Sequence, residues 1–137
     1  MNHNDTQMRF NLHSNPREVV QLQQQLMDLC KDVGFGELSA FQFTSAAIEA
    51  VNNCIKHAYA GEEGYPITLQ WRRHQDFVTI EIRDEGKPLP LHLLESPVLS
   101  GVDAESGRGW HIIHEWTGSV SYARQGDENI LTLTRRL

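Results

Sequence analysis

Apolar and polar positions alternate first near the N-terminus, where Met8, Phe10 and Leu12 interleave with Arg9, Asn11 and His13. That period of two predicts a half-buried strand. Ser14 and Asn15 ahead of Pro16 form a helix start, and Val19, Leu22, Leu26, Leu29 and Val33 then recur at intervals of three or four. The spacing predicts a helix from about Pro16 to Val33, stopped by Gly34. A second helix is expected from near Ser39 to about Gly61, with Ile48, Val51, Ile55 and Ala58 on its core side. Two alternating runs follow, Ile67, Leu69, Trp71 and then Val78, Ile80, Ile82, separated by a turn at His74 to Asp76. They predict a hairpin. From Glu85 to Ser106 the periodicity lapses among glycines and prolines, which predicts a long loop with a helical turn near His92. A third helix from about Trp110 to Trp116 and two strands, Ser119 to Ala123 and Asn129 to Arg135, complete the chain. The order implies an α+β two-layer sandwich, with helices on one face of a mainly antiparallel sheet, and one domain over residues 1–137.

Composition narrows the partners more than the fold. Hydrophobic residues at 39% and charged residues at 22% are ordinary for a water-soluble globular chain. A formal net charge of −6 opposes direct nucleic-acid binding, which needs Lys and Arg to neutralise phosphates. No run of about 18 apolar residues is present to span a bilayer. The first residues, Met1 to Asp5, lack a secretion-signal pattern, so a cytoplasmic location is expected. Cys30 and Cys54 stand far apart, outside any paired-ligand spacing, and read as small core residues.

The candidate chemistry lies in three places. Glu49, Asn53 and His57 recur every four residues, so carboxylate, carboxamide and imidazole share one helix face. A carboxylate can take the proton of a hydroxyl nucleophile, and a carboxamide oxygen suits a hard cation such as Mg²⁺. The same row also describes an ordinary solvated face. Asp84 falls on the alternation of Val78, Ile80 and Ile82, which turns its carboxylate toward the core. There either a cap at the strand end or a ligand's N–H donor must satisfy it. Gly86 and Pro88 follow directly in D-E-G-K-P. Gly107, Arg108 and Gly109 precede the third expected helix, where free backbone N–H groups can receive phosphate oxygens. No G-x-x-x-x-G-K-[ST] is present, so any phosphate site is not a P-loop. The G-F-G at Gly34 to Gly36 lacks a third glycine and follows a helix, which makes it a turn.

Taken together and in this order, E-A-V-N-N-C-I-K-H-A-Y from Glu49, D-E-G-K-P from Asp84 and G-R-G-W-H-I-I from Gly107 resemble the three nucleotide-binding boxes of the GHKL ATPase superfamily. That superfamily is shared by DNA gyrase, a heat-shock chaperone, histidine kinases and a mismatch-repair ATPase. The wording of the first box, the chain length and the 20 residues, 87 to 106, between Gly86 and Gly107 are most similar to the anti-sigma-factor serine/threonine kinases of partner-switching systems. The resemblance implies the Bergerat ATP-binding fold, ATP or ADP with Mg²⁺, and phosphoryl transfer to serine. Glu49 would be the general base, Asn53 the Mg²⁺ ligand and Asp84 the acceptor for the adenine amino group. Gly86 would sit against the base, and Gly107 and Gly109 at the phosphates. His57 would meet phosphate or cap the pocket wall, and Arg108 would meet phosphate or solvent. Implied partners are a STAS-type antagonist, a sigma factor or equivalent regulator, and a second copy of the chain in a homodimer. Two positions depart from the pattern. Ile130 stands where relatives often carry a threonine near the adenine, and Trp116, Thr117 and Gly118 replace the usual turn after the third helix. Three other readings stand beside this one: a nucleotide-dependent sequestering module without kinase activity, a histidine-kinase catalytic domain, and a metal hydrolase built on His111, His114 and Glu115.

Overall fold

The computed structural model describes residues 6–93 and 104–137, with no side chain described at 93 or 104–108. Strands β1 (Gln7–His13), β2 (Pro66–Arg73), β3 (Phe77–Asp84), β4 (Ser119–Gln125) and β5 (Glu128–Arg136) form one sheet in the order β1-β2-β3-β5-β4, antiparallel throughout. Helices α1 (Pro16–Asp32), α2 (Glu37–Asn53) and α3 (Ala104–Glu115) lie together, with α2 packed against both others. This is the α+β sandwich that the patterning predicts.

Alternation does the work in the sheet. Ile67, Leu69 and Trp71, then Val78, Ile80 and Ile82, then Leu131 and Leu133 are all buried on the helix side. The opposite face carries polar groups, among them Arg83, which pairs with Glu81 at 2.6 Å and Glu128 at 2.7 Å. In α1 the buried row is Val19, Leu22, Leu26 and Cys30, and Asn15 caps the helix by accepting from the Arg17 N–H at 2.9 Å. Gly34 follows at φ +108°, a conformation that favours glycine. The buried face of α2 is lined by Ala40, Ala46, Ala47 and Ala50, small residues that let the backbones of its neighbours come close.

The helix boundaries depart from expectation in two places that bear on the site. Helix α2 starts at Glu37 rather than Ser39, and its α-helical part ends at Asn53; the chain continues in a wider π-helical turn, Cys54–Ala58, closed by the Tyr59 N–H on the Cys54 carbonyl at 3.0 Å. A row spaced by four fits both geometries, so the sequence pattern does not separate them. Helix α3 starts at Ala104, well before Trp110, because one residue between two glycines weakens a helix without ending it. A single 3₁₀ turn, Leu91–Leu93, stands at the expected helical turn near His92, while 94–103 of the expected loop lie outside the described residues.

Candidate functional site

Asp84 ends β3 with its side chain buried at 5% exposure, as the alternation requires. Its Oδ1 accepts two N–H groups, from the Gly86 backbone at 2.9 Å and from Asn129 Nδ2 at 2.8 Å. A cap therefore satisfies one carboxylate oxygen, and the other retains its acceptor capacity. The Cys54 thiol lies alongside. Burial raises its pKa well above the ordinary thiol value, and the Asp84 charge adds to the shift, so the thiol stays neutral.

Asp84 lines a cleft that also receives Asn53 and His57. Ala50, Trp110, Leu89 and Leu131 supply apolar wall. Such a slot, apolar with few convergent polar groups, has the make-up of a small-ligand site. Asn53 is only 8% exposed, and among the described residues its buried Nδ2 has no hydrogen-bond partner, nor has Trp110 Nε1. Unsatisfied buried donors are rare enough to need a cause, and a ligand is one.

Glu49 stands one helical turn before Asn53 and meets α3. A β-carbon placed on Gly109 would lie 3.0 Å from Glu49 Oε2 and 3.8 Å from Asn53 Oδ1. The missing side chain at 109 therefore leaves the space that these two polar groups occupy. Gly86 plays a similar part at the other end, where a β-carbon would collide with Ala58. The expectation for Gly107, Arg108 and Gly109 needs correction. All three sit inside α3, so the free N–H groups of this helix belong to its first turn from Ala104, ahead of Gly109. The Arg108 side chain lies outside the described residues.

Two residues of the site were not singled out from sequence. Asn129, 4% exposed, faces Asp84 directly across the β3–β5 ladder. Its Nδ2 also donates to the Lys87 carbonyl at 2.8 Å, and its Oδ1 accepts from Arg124 Nη1 at 2.9 Å and from the Tyr122 hydroxyl. The signal was available, because Asn129 shares its alternation with Leu131 and Leu133. Ile130, expected near the ligand, is instead opposite Arg83 and so on the outer face. Tyr59 is the second. Its hydroxyl donates to the Pro66 carbonyl at 2.6 Å and accepts from the Glu85 N–H at 2.7 Å, tying the π-helical turn to the end of β3. Burial pushes the phenol up to about 12 against the opposing Glu85 N–H, with the Asp84 charge adding to the rise.

The donor set fits a magnesium nucleotide: one acceptor for an exocyclic amine, one carboxamide for a hard cation, and a neighbouring carboxylate. The metal-hydrolase alternative finds no support, since no group of three or more His, Cys, Asp and Glu side chains able to hold a metal occurs among the described residues. No helix among them is long and apolar enough to cross a membrane.

Comparison with known proteins gives the family. Residues 12–135 match the family described as "Histidine kinase-like ATPase domain". Serine/threonine-protein kinase BtrW of Bordetella bronchiseptica is 31% identical over 97 residues, 69% of this chain and 68% of that protein. Serine-protein kinase RsbW of Listeria innocua is 29% identical over 86 residues, so the match spans 61% of this chain and only 55% of that relative. Among solved structures, the RsbU and RsbW domains of a Mycobacterium tuberculosis protein superpose with a TM-score of 0.67 at 16% identity, covering 96% of this chain and 32% of that one. The Acinetobacter baumannii histidine kinase AdeS gives 0.52 at 14% identity, covering 93% of this chain and 67% of that one. The chain belongs to the histidine kinase-like ATPase domain family and, within it, is similar to bacterial serine-protein kinases.

Proposed function

We propose that this chain binds ATP and transfers its γ-phosphoryl group to a serine of a partner protein. The observation that carries the proposal is the meeting of Glu49 and Asn53 at Gly109, beside a cleft that holds the buried Asp84 carboxylate. Three chemistries that phosphoryl transfer needs are thereby adjacent: a proton acceptor, a cation ligand and a nucleobase anchor.

In this reading the free oxygen of Asp84 accepts from the adenine amino group, and the apolar walls hold the purine ring. Mg²⁺, held by Asn53 together with the phosphates, would neutralise charge on them. Glu49 takes the proton from the serine hydroxyl as the new P–O bond forms and the bond to ADP breaks, so the products are phosphoserine and ADP. His57, in the cleft wall, and the first turn of α3, which begins at Ala104 and includes Gly107, would meet the phosphates. The protein contributes mainly position, since this transfer asks for little covalent work from side chains.

The relatives' names, serine-protein kinase and serine/threonine-protein kinase, support the acceptor class. From the resemblance of its three boxes to the anti-sigma-factor serine kinases, we further propose that the acceptor is a STAS-type antagonist and that the chain acts as an anti-sigma regulatory factor, as a homodimer that sequesters a sigma factor or equivalent regulator. The direct test is incubation with labelled ATP, Mg²⁺ and candidate antagonist proteins. Phosphoserine on one of them supports the proposal, and binding without any transfer reduces the chain to a nucleotide-dependent sequestering module.

A further inference from the structure

We propose that Asn129 is a positioning residue for the purine end of the cleft, setting the selectivity for a 6-amino over a 6-oxo purine by fixing the rotation of the Asp84 carboxylate. The inference rests on the reading of the cleft as a nucleotide site.

The orientation of the Asn129 amide follows from its neighbours. Nδ2 is surrounded by acceptors: Asp84 Oδ1 at 2.8 Å, the Lys87 carbonyl at 2.8 Å and the Gly86 carbonyl at 3.4 Å. Oδ1 faces the Arg124 guanidinium, a pure donor, at 2.9 Å, and the Tyr122 hydroxyl. A flipped amide would set oxygen against carboxylate and carbonyls and nitrogen against the guanidinium, so only one orientation is compatible with the site. Contacts from β3, β4 and the 86–87 segment hold the amide in place.

Two consequences follow for a bound base. With the Gly86 and Asn129 N–H groups both on Oδ1, the carboxylate cannot rotate without losing two hydrogen bonds, and even with the Cys54 thiol as a further donor to the group, Oδ2 keeps an acceptor site for a ligand. An acceptor held there matches the N6 amino group of adenine and opposes the O6 carbonyl of hypoxanthine. A buried acceptor left facing another acceptor is the arrangement by which polar sites reject close analogues. The same amide also tethers the wall. It grips the Gly86 and Lys87 carbonyls, while the Tyr122 hydroxyl that donates to it accepts from the Leu89 N–H at 3.1 Å. Wall position alone would affect any purine equally, whereas carboxylate rotation separates adenine from hypoxanthine.

The test is calorimetric titration of the full chain with ATP and with inosine triphosphate, each with Mg²⁺. Wild type should prefer ATP. Asn129→Ala should weaken ATP binding about ten- to a hundredfold, the scale of a hydrogen bond to a charged group, and lower the ATP to inosine triphosphate ratio. Equal weakening of both, with the ratio kept, means that Asn129 only braces the wall and overturns the proposal. Should Asn129→Ala not fold, Tyr122→Phe releases one of the two groups that hold Asn129 Oδ1. A smaller fall in the ratio then supports the proposal, and an unchanged ratio refutes it. Wild type that binds neither nucleotide overturns the nucleotide reading itself, and the Asn129 inference with it.

Discussion

Gly86 lies so close to Ala58 that a β-carbon at position 86 would stand 2.4 Å from the Ala58 carbonyl oxygen. The same oxygen accepts the Lys87 N–H at 2.9 Å, so the segment after β3 is docked backbone to backbone on the π-helical turn. Gly86→Ala forces one of these backbones to move. The expected cost is about 1–3 kcal/mol, as for other overpacked sites, together with weaker nucleotide binding because the cleft wall shifts. Thermal melting of the free and ATP-bound protein measures both. An alanine tolerated without loss in either would deny the close approach.

Gly109→Ala should behave differently. Alanine favours a helix interior by roughly 1 kcal/mol over glycine, yet its methyl group would sit 3.0 Å from Glu49 Oε2 and displace the carboxylate. Stability is therefore expected to hold or rise while phosphoryl transfer falls. Parallel loss of both would mean that Gly109 is there for packing and not for the Glu49 carboxylate.

Asp84→Asn replaces part of an acceptor with a donor that would face the adenine amino group. ATP affinity should fall, and discrimination against GTP with it, while a change at a surface carboxylate such as Glu63 leaves both unchanged. Tight and selective ATP binding by Asp84→Asn would move the base site elsewhere.

Tyr59 predicts an alkaline signature. Its folded pKa of about 12 exceeds the unfolded value near 10, so the native state holds the proton more tightly. The resulting stability is complete below pH 10 and is lost as pH rises from there through 12. Tyr59→Phe should be less stable at neutral pH, having lost the bonds to Pro66 and Glu85, but should show a shallower decline above pH 10. Denaturant melts across that range report the slope, and identical slopes in the two proteins would remove Tyr59 as its source.

How far the site could be read in advance depends on which periodicity each residue obeys. Asp84 was legible because a strand's period of two has no slack, and one polar residue on an apolar row must be explained. The same rule applies to Asn129, but it stands at the first position of the expected strand Asn129 to Arg135, where a polar side chain can be satisfied by solvent and so does not demand a partner. The row Glu49, Asn53, His57 was legible as a face, whereas the change to a π-helical turn at Cys54 was not. That turn is met by the segment after β3, through the Lys87 N–H on the Ala58 carbonyl and the Glu85 N–H on the Tyr59 hydroxyl, contacts between stretches far apart in sequence. The start of α3 was hidden for a related reason. Glycines at 107 and 109 weaken local helix propensity, and helix packing against α2 overrides it.

The central claim is that Glu49 serves chemistry while Asp84 and Asn53 serve binding, and one paired measurement tests it. Phosphoserine formation on a cognate antagonist is followed beside ATP affinity, with and without Mg²⁺, for wild type, Glu49→Ala and Asn53→Ala. Glu49→Ala should keep nucleotide affinity and lose about 10² to 10⁴ in transfer rate, the usual worth of a placed general base, whereas Asn53→Ala should lose the Mg²⁺-dependent part of its affinity along with transfer. Equal transfer rates in wild type and Glu49→Ala would contradict the account.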